Sequence, residues 1–181
     1  RIRTVMLLSS AGVPTPRTWV AGSAEDLIEP LRDGPVVLRS AEMSCSVGAK
    51  VLWNVDEVID LPLPEGATLA QEVHPNDQYA HRVYRIGHQT FAVKRPCWMA
   101  FSSETREEPV PATDEMCEIA DRVASMFRSE LFGLDLVGAE GRLQVVEVCP
   151  FPRLGGVPDA ALRLADYIYA RGMETAEEVR R

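Results

Sequence analysis

The feature that most constrains this chain is a pair of carboxylates set inside apolar runs. Phe132-Gly133-Leu134-Asp135-Leu136-Val137 and Leu143-Gln144-Val145-Val146-Glu147-Val148 each carry one acid, and a short loop containing Gly141 separates them. Two such runs read as adjacent antiparallel strands. If the loop holds three residues, Glu140 to Arg142, then residue 139 pairs with 143 and Asp135 falls opposite Glu147. Opposed side chains share a face, with Cβ atoms about 5 Å apart. A two-residue loop puts the acids on opposite faces, so the shared face rests on the bulged turn that Gly141 favours. Carboxylates this close repel, and Mg²⁺ bridging them to substrate phosphates relieves the repulsion. Spacing alone serves equally well two acids on a solvent-facing sheet.

Around this hairpin the chain reads as α+β. Ile2, Val5, Met6 and Leu8 recur at helical spacing, and Gly12, with Pro14 and Pro16 beyond it, ends the helix. Thr18 to Ala21 reads as a strand, and Ser23 as the N-cap of a helix with Glu25 and Asp26 in its first turn. Val36-Val37-Leu38-Arg39 reads as a buried strand after Gly34-Pro35. From Leu69 come a strand to Val73, a turn at 74–77, and alternating runs at 81–86 and 90–93 around a Gly87-His88 hairpin. Ser102 to Pro109 reads as a mobile polar loop. Thr113 reads as the N-cap of a helix whose apolar face is Met116, Ile119, Ala120, Val123 and Phe127, and a closing helix runs from Asp159 to about Tyr169.

With 181 residues, 46% of them hydrophobic, the chain can bury a core as one domain or as two lobes sharing a cleft. Its net charge of −8 repels phosphate backbones, so nucleic acid is not an expected partner. No stretch approaches the roughly 18 apolar residues of a membrane span. Cysteines at 45, 97, 117 and 149 show neither a Cys-x-x-Cys pair nor zinc spacing, and free thiols in a reducing cytoplasm are expected. His74, His81 and His88 lack a third ligand at metal spacing and read as ordinary hydrogen-bonding side chains. The first residue is Arg1 rather than Met, which points to a fragment or a processed product.

Asp135 with Glu147-Val148-Cys149-Pro150-Phe151-Pro152 resembles the paired metal-binding acids of ATP-grasp enzymes, where the second acid belongs to a Glu-x-Asn motif. Gln71-Glu72-Val73 resembles the linker whose backbone meets the adenine in that family. Tyr79 to Tyr84 resembles the strand whose arginine, here Arg82, lies near the phosphates, and Ala92-Val93-Lys94-Arg95 is similar to the next strand with its basic residue. Ala11 to Pro16 is similar to the phrase that opens the first lobe, and Val36 to Arg39 to a strand ending in an ATP-contacting lysine. Ser44-Cys45-Ser46-Val47-Gly48-Ala49 stands at the place of the glycine-rich phosphate lid. The order of these phrases covers nearly the whole chain.

The resemblance implies two α+β lobes, 1–70 with the lid and 71–181 with the hinge and the acids, clamping ATP and Mg²⁺ between antiparallel sheets, with the preceding N-terminal domain absent. It implies Asp135, Glu147 and Cys149 at the metal, and Arg39, Ser46, Gly48, Gln71, Glu72 and Val73 at the nucleotide. Arg82 and Arg95 would stabilise the transferring phosphoryl group. Three departures stand out. Arginine occupies the lysine positions at Arg39 and Arg1, the lid keeps only Gly48, and Cys149 offers a thiol, a poor ligand for Mg²⁺, where asparagine is usual. The activity implied is ATP-dependent joining of a carboxylate to an amine, resembling the ribosomal-protein glutamate ligases, with an unidentified small-molecule or peptide substrate and a homo-oligomer or a missing domain as further partners. A kinase resembling the inositol phosphate kinases would use the same metal site. The departures taken together fit nucleotide binding without catalysis.

Overall fold

The computed structural model describes residues 1–40, 49–59, 61–63, 66–73, 79–96, 107–138 and 141–179. Ser46, Gly48 and the expected turn at 74–77 lie outside the described residues. Two antiparallel sheets organise the chain. The first contains β1 (Thr18–Ala21), β2 (Val36–Ser40), β3 (Lys50–Leu52) and β4 (Thr68–Glu72) in the order β1-β4-β2-β3. The second contains β5 (Tyr79–Ile86), β6 (Gln89–Pro96), β7 (Glu108–Val110), β8 (Leu131–Val137) and β9 (Gln144–Cys149) in the order β7-β6-β5-β8-β9. Four helices accompany them among the described residues: α1 (Ile2–Ser10), α2 (Ile28–Asp33), α3 (Asp114–Phe127) and α4 (Ala160–Val179).

Alternation along the strands sends residues to two different environments. In β2, Val36 and Leu38 pack with Leu27, Leu31, Leu52 and Ala70 on the helix side of the first sheet. Val37 and Arg39 therefore point from its other face, and both are buried. In the second sheet Val83, Ala92, Leu134 and Leu136 pack against Met116, Ile119, Ala120 and Val123 of α3. Burial of each such α3 side chain stabilises by roughly 1.5–3 kcal/mol for the larger ones. The expected cap is present, with Thr113 Oγ1 accepting from the Met116 N–H at 3.3 Å.

α1 ends in a double backbone closure: Val13 N–H donates to Leu8 O and Gly12 N–H to Ser9 O, with Gly12 at φ +68°. That left-handed position suits glycine. Leu8 and Val13 both enter the core of the five-stranded sheet. The helix that begins the chain is thus fixed beside β8 and β9, and it carries Arg1 at its N-cap.

Several expectations need correction. Ser23 does not cap a helix; the segment starts with a 3₁₀ turn at Glu25–Leu27, and Asp26 Oδ2 accepts from the Gly22 and Ser23 N–H groups instead. Asp26 competes better for those donors because its carboxylate is charged, and they hold its pKa below the usual value. The polar stretch expected to be a loop through Pro109 ends in β7, which pairs with β6. The closing helix continues ten residues beyond Tyr169, to Val179. Among the described residues no helix is long and apolar enough to cross a membrane.

Candidate active site

The register of the second sheet lines up one row across all five strands: Pro109, Val93, Arg82, Asp135 and Glu147. Asp135 and Glu147 are opposed, as the sequence suggested, but the route differs. Near the turn Leu136 pairs with Val145 and Val137 with Gln144, a register that by itself would set Asp135 opposite Val146. A bulge at Val146 then shifts the pairing by one and brings Glu147 onto the face of Asp135. The three-residue loop is therefore not what aligns the acids. Glu115 of α3 holds the tip, accepting from the Gly141 N–H at 2.7 Å and the Leu143 N–H at 2.9 Å.

The carboxylates are not the unpaired, mutually repelling groups that the spacing suggested. Arg82 binds Asp135 through a fork, Nε to Oδ1 at 2.6 Å and Nη2 to Oδ2 at 2.7 Å. Arg95 Nη2 adds a bond of 2.6 Å to Oδ2. Both arginines are on this face because Arg82 is opposite Asp135 and Arg95 lies two residues beyond Val93, which is opposite Arg82. Asp135 is 5% exposed, and its bond to Arg82, more than any other influence, raises the guanidinium pKa. Paired burial of this kind keeps both charges in place.

Glu147 faces a second pair of arginines. Arg1 Nη2 lies 3.0 Å from Oε1, and Arg39 Nη1 lies 3.8 Å from Oε2. Arg39 also approaches Val146 O at 3.5 Å, and Arg1 Nη1 donates to Ser40 O at 3.3 Å. These contacts join the two sheets, since Arg39 and Ser40 belong to β2 and Glu147 to β9. Charged contacts thus hold the two sheets together at this point.

Of the remaining expected site residues, Cys149 lies opposite Gly133, on the face of Glu147 and two residues further along β9. It is a free thiol, as is Cys117. Gln71 is buried in the centre of the first sheet and donates through Nε2 to Thr18 Oγ1 at 3.3 Å. The N–H groups of Glu72 and Val73 already donate to Arg17 O and Pro35 O, at 2.9 and 3.1 Å. A base edge read by this segment must therefore use its carbonyls. Ser46 and Gly48 cannot be placed, because they fall outside the described residues.

Tyr84 was not singled out from the sequence, yet alternation along β5 puts it on the face of Arg82. It pairs with Phe91 and Gly133 and is fully buried. Burial first, and then the charge of Glu107, push its phenol up to about 12. A Cβ at Gly133 would lie 2.9 Å from Cβ of Pro152, so glycine there lets the segment after β9 return across this face. Period two along β5 is the signal that would have found Tyr84.

Among the described residues no group of three or more His, Cys, Asp or Glu side chains could hold a metal ion. The donor chemistry divides. Asp135 and Glu147 carry hard oxygen donors of the kind Mg²⁺ takes, whereas the Cys149 thiol does not fit as a further ligand for it.

No protein-family model matches the chain, and no curated protein does. Solved structures do. The ATP-grasp ligase PsnB, complexed with minimal precursor, Mg and ADP, is 20% identical, with a TM-score of 0.69 over 92% of this chain and 56% of that one. A RimK domain ATP-grasp protein from Sphaerobacter thermophilus is 18% identical, with a TM-score of 0.71 over 93% of this chain and 65% of its own. D-alanine–D-alanine ligase from Bacillus anthracis is 16% identical, with a TM-score of 0.71 over 97% of this chain and 67% of the enzyme. The chain thus spans little more than half the length of PsnB. At such identities the likeness is one of backbone architecture, and two antiparallel sheets in this order along the chain, joined through Arg39 and Glu147, have the ATP-grasp fold.

Proposed function

We propose that the cleft binds ATP and that the chain contributes the nucleotide site of an ATP- and Mg²⁺-dependent ligase joining a carboxylate to an amine. The observation that carries this reading is the row Arg82, Asp135 and Glu147, flanked by Arg95 and faced from the other sheet by Arg39. Guanidinium forks from both sides match phosphate oxygens, and two carboxylates beside them suit the cation that accompanies a triphosphate. PsnB, with Mg, ADP and a precursor bound, supports the same ligand set. The lobes would divide near residue 70, with α1 returning to the five-stranded sheet.

In this mechanism a substrate carboxylate oxygen forms a bond to the γ-phosphorus while the bond from that phosphorus to the bridging oxygen breaks and ADP leaves. The amine nitrogen then attacks the acyl carbon, its proton passes to solvent or product phosphate, and inorganic phosphate departs. Bound Mg²⁺ would neutralise charge on the phosphates. Arg82 and Arg95 would orient the γ-phosphoryl group and stabilise the charge developing on its oxygens. Val37 and Leu69, buried on the cleft face of the first sheet, would keep water from the nucleoside side.

Nucleotide binding without turnover is the second reading, favoured by Cys149 on the face of Glu147. The test is release of ADP and phosphate from ATP with a carboxylate panel, with and without an added amine. Amine-dependent release of both supports ligation. ADP release with no free phosphate points to a kinase, and tight nucleotide binding with no ADP release under any pairing selects the non-catalytic reading.

A further inference from the structure

Among the described residues, guanidinium groups surround the acid pair from two sheets and from the start of the chain. Arg1, Arg39, Arg82 and Arg95 face Asp135 and Glu147, and the Glu107 carboxylate also acts on Arg82. Each carboxylate oxygen has a guanidinium nitrogen within 4 Å: Arg82 at Oδ1, Arg82 and Arg95 at Oδ2, Arg1 at Oε1 and Arg39 at Oε2. A divalent cation approaching the protein alone meets carboxylates already engaged by guanidinium groups, which it would have to displace. A polyphosphate meets arginines that converge from the N-cap of α1 and from β2, β5 and β6.

We propose that the cleft is a guanidinium-based polyphosphate receptor. It takes a nucleoside diphosphate or triphosphate without a prebound divalent cation, and cation affinity arises only when the phosphates draw arginines off the carboxylates. The inference rests on the nucleotide reading of this site and adds an order of binding to it. Arg39 and Arg1 are the residues on which it turns. They approach Glu147 from outside the five-stranded sheet, so they can shift to phosphate without disturbing the ladder that holds Asp135. Cys149 adds no hard donor that would restore affinity for a free cation.

The test is calorimetric titration of the full chain with ADP in EDTA and again in Mg²⁺, beside electron paramagnetic resonance of Mn²⁺ with the protein alone and with ADP present. Affinity for ADP in EDTA should lie within about tenfold of that in Mg²⁺, a difference of about 1.4 kcal/mol. Mn²⁺ should remain free with the protein alone and become bound when ADP is added. Arg39→Gln should lower affinity in EDTA more than Arg39→Lys, which keeps the charge. Because Arg39 is buried, Arg1→Gln is measured in parallel, with circular dichroism to establish that each variant is folded. Binding of ADP only in Mg²⁺, or Mn²⁺ held by the nucleotide-free protein, would overturn the proposal while leaving the nucleotide reading intact. Failure of ADP to bind in either condition defeats the nucleotide reading, and this inference with it.

Discussion

Asp135 and Glu147 are neighbours on adjacent strands, but their counter-charges come from different parts of the molecule. Asp135 is held by Arg82 and Arg95, both within its own sheet and fixed by strand register. Glu147 is faced by Arg1 from α1 and Arg39 from the opposite sheet. The first cluster is as rigid as the ladder beneath it. The second depends on how the two sheets meet. The contacts at Asp135 are all short, at 2.6–2.7 Å, whereas those at Glu147 reach 3.8 Å. One carboxylate is paired within its own sheet, and the other is paired with groups that reach it from outside that sheet.

The largest effect should come from breaking the rigid side. Arg82→Leu leaves the buried Asp135 carboxylate with Arg95 alone, and urea denaturation should show a loss of about 3–5 kcal/mol. A loss below about 1 kcal/mol would mean that the fork contributes little beyond an exposed pair. On the other side, Arg39→Leu removes a longer contact and also returns the cost of burying a guanidinium, so its stability loss should be smaller, about 1 kcal/mol. The same variant should raise the radius of gyration in solution scattering, because a contact between the sheets is lost. Equal losses for the two variants would erase the distinction between the clusters.

The smallest effect at neutral pH belongs to Tyr84, which touches the rigid side. Its phenol has a folded pKa near 12, above the ordinary value of 10.0, so the unfolded chain loses its proton first as pH rises. The contribution to stability is therefore complete below pH 10 and declines as pH climbs toward 12. Tyr84→Phe should remove that portion of the alkaline decline in a denaturation series. An unchanged slope would assign the decline to other groups.

Much of the second sheet was legible because its strands obey period two. Arg82 and Asp135 could be placed on one face from alternation, and the Gly87-His88 turn sets the pairing of Ile86 with Gln89. β7 was hidden because Glu108-Pro109-Val110 has the composition of a loop and gains its strand character only by pairing with β6. The arginines at Glu147 were legible as cations but not as its partners, because Arg1 and Glu147 are 146 residues apart and meet only when α1 packs on the five-stranded sheet. The opposition of the two acids was anticipated for the wrong local reason, since a one-residue bulge leaves no mark in the pattern Val145-Val146-Glu147-Val148.

That bulge makes the hairpin sensitive to odd and even changes in length. Eleven residues separate Asp135 from Glu147, and the acids share a face only because Val146 is left over in the count. A single-residue insertion or deletion between them, taken up by the ladder rather than the tip, would turn one acid to the core side while leaving the composition untouched. A two-residue change would slide the pair along the same face. A loop graft at 138–143 should therefore be designed by parity before length, and divergent chains of this fold can gain or lose the charged pair through one indel with no substitution at either acid.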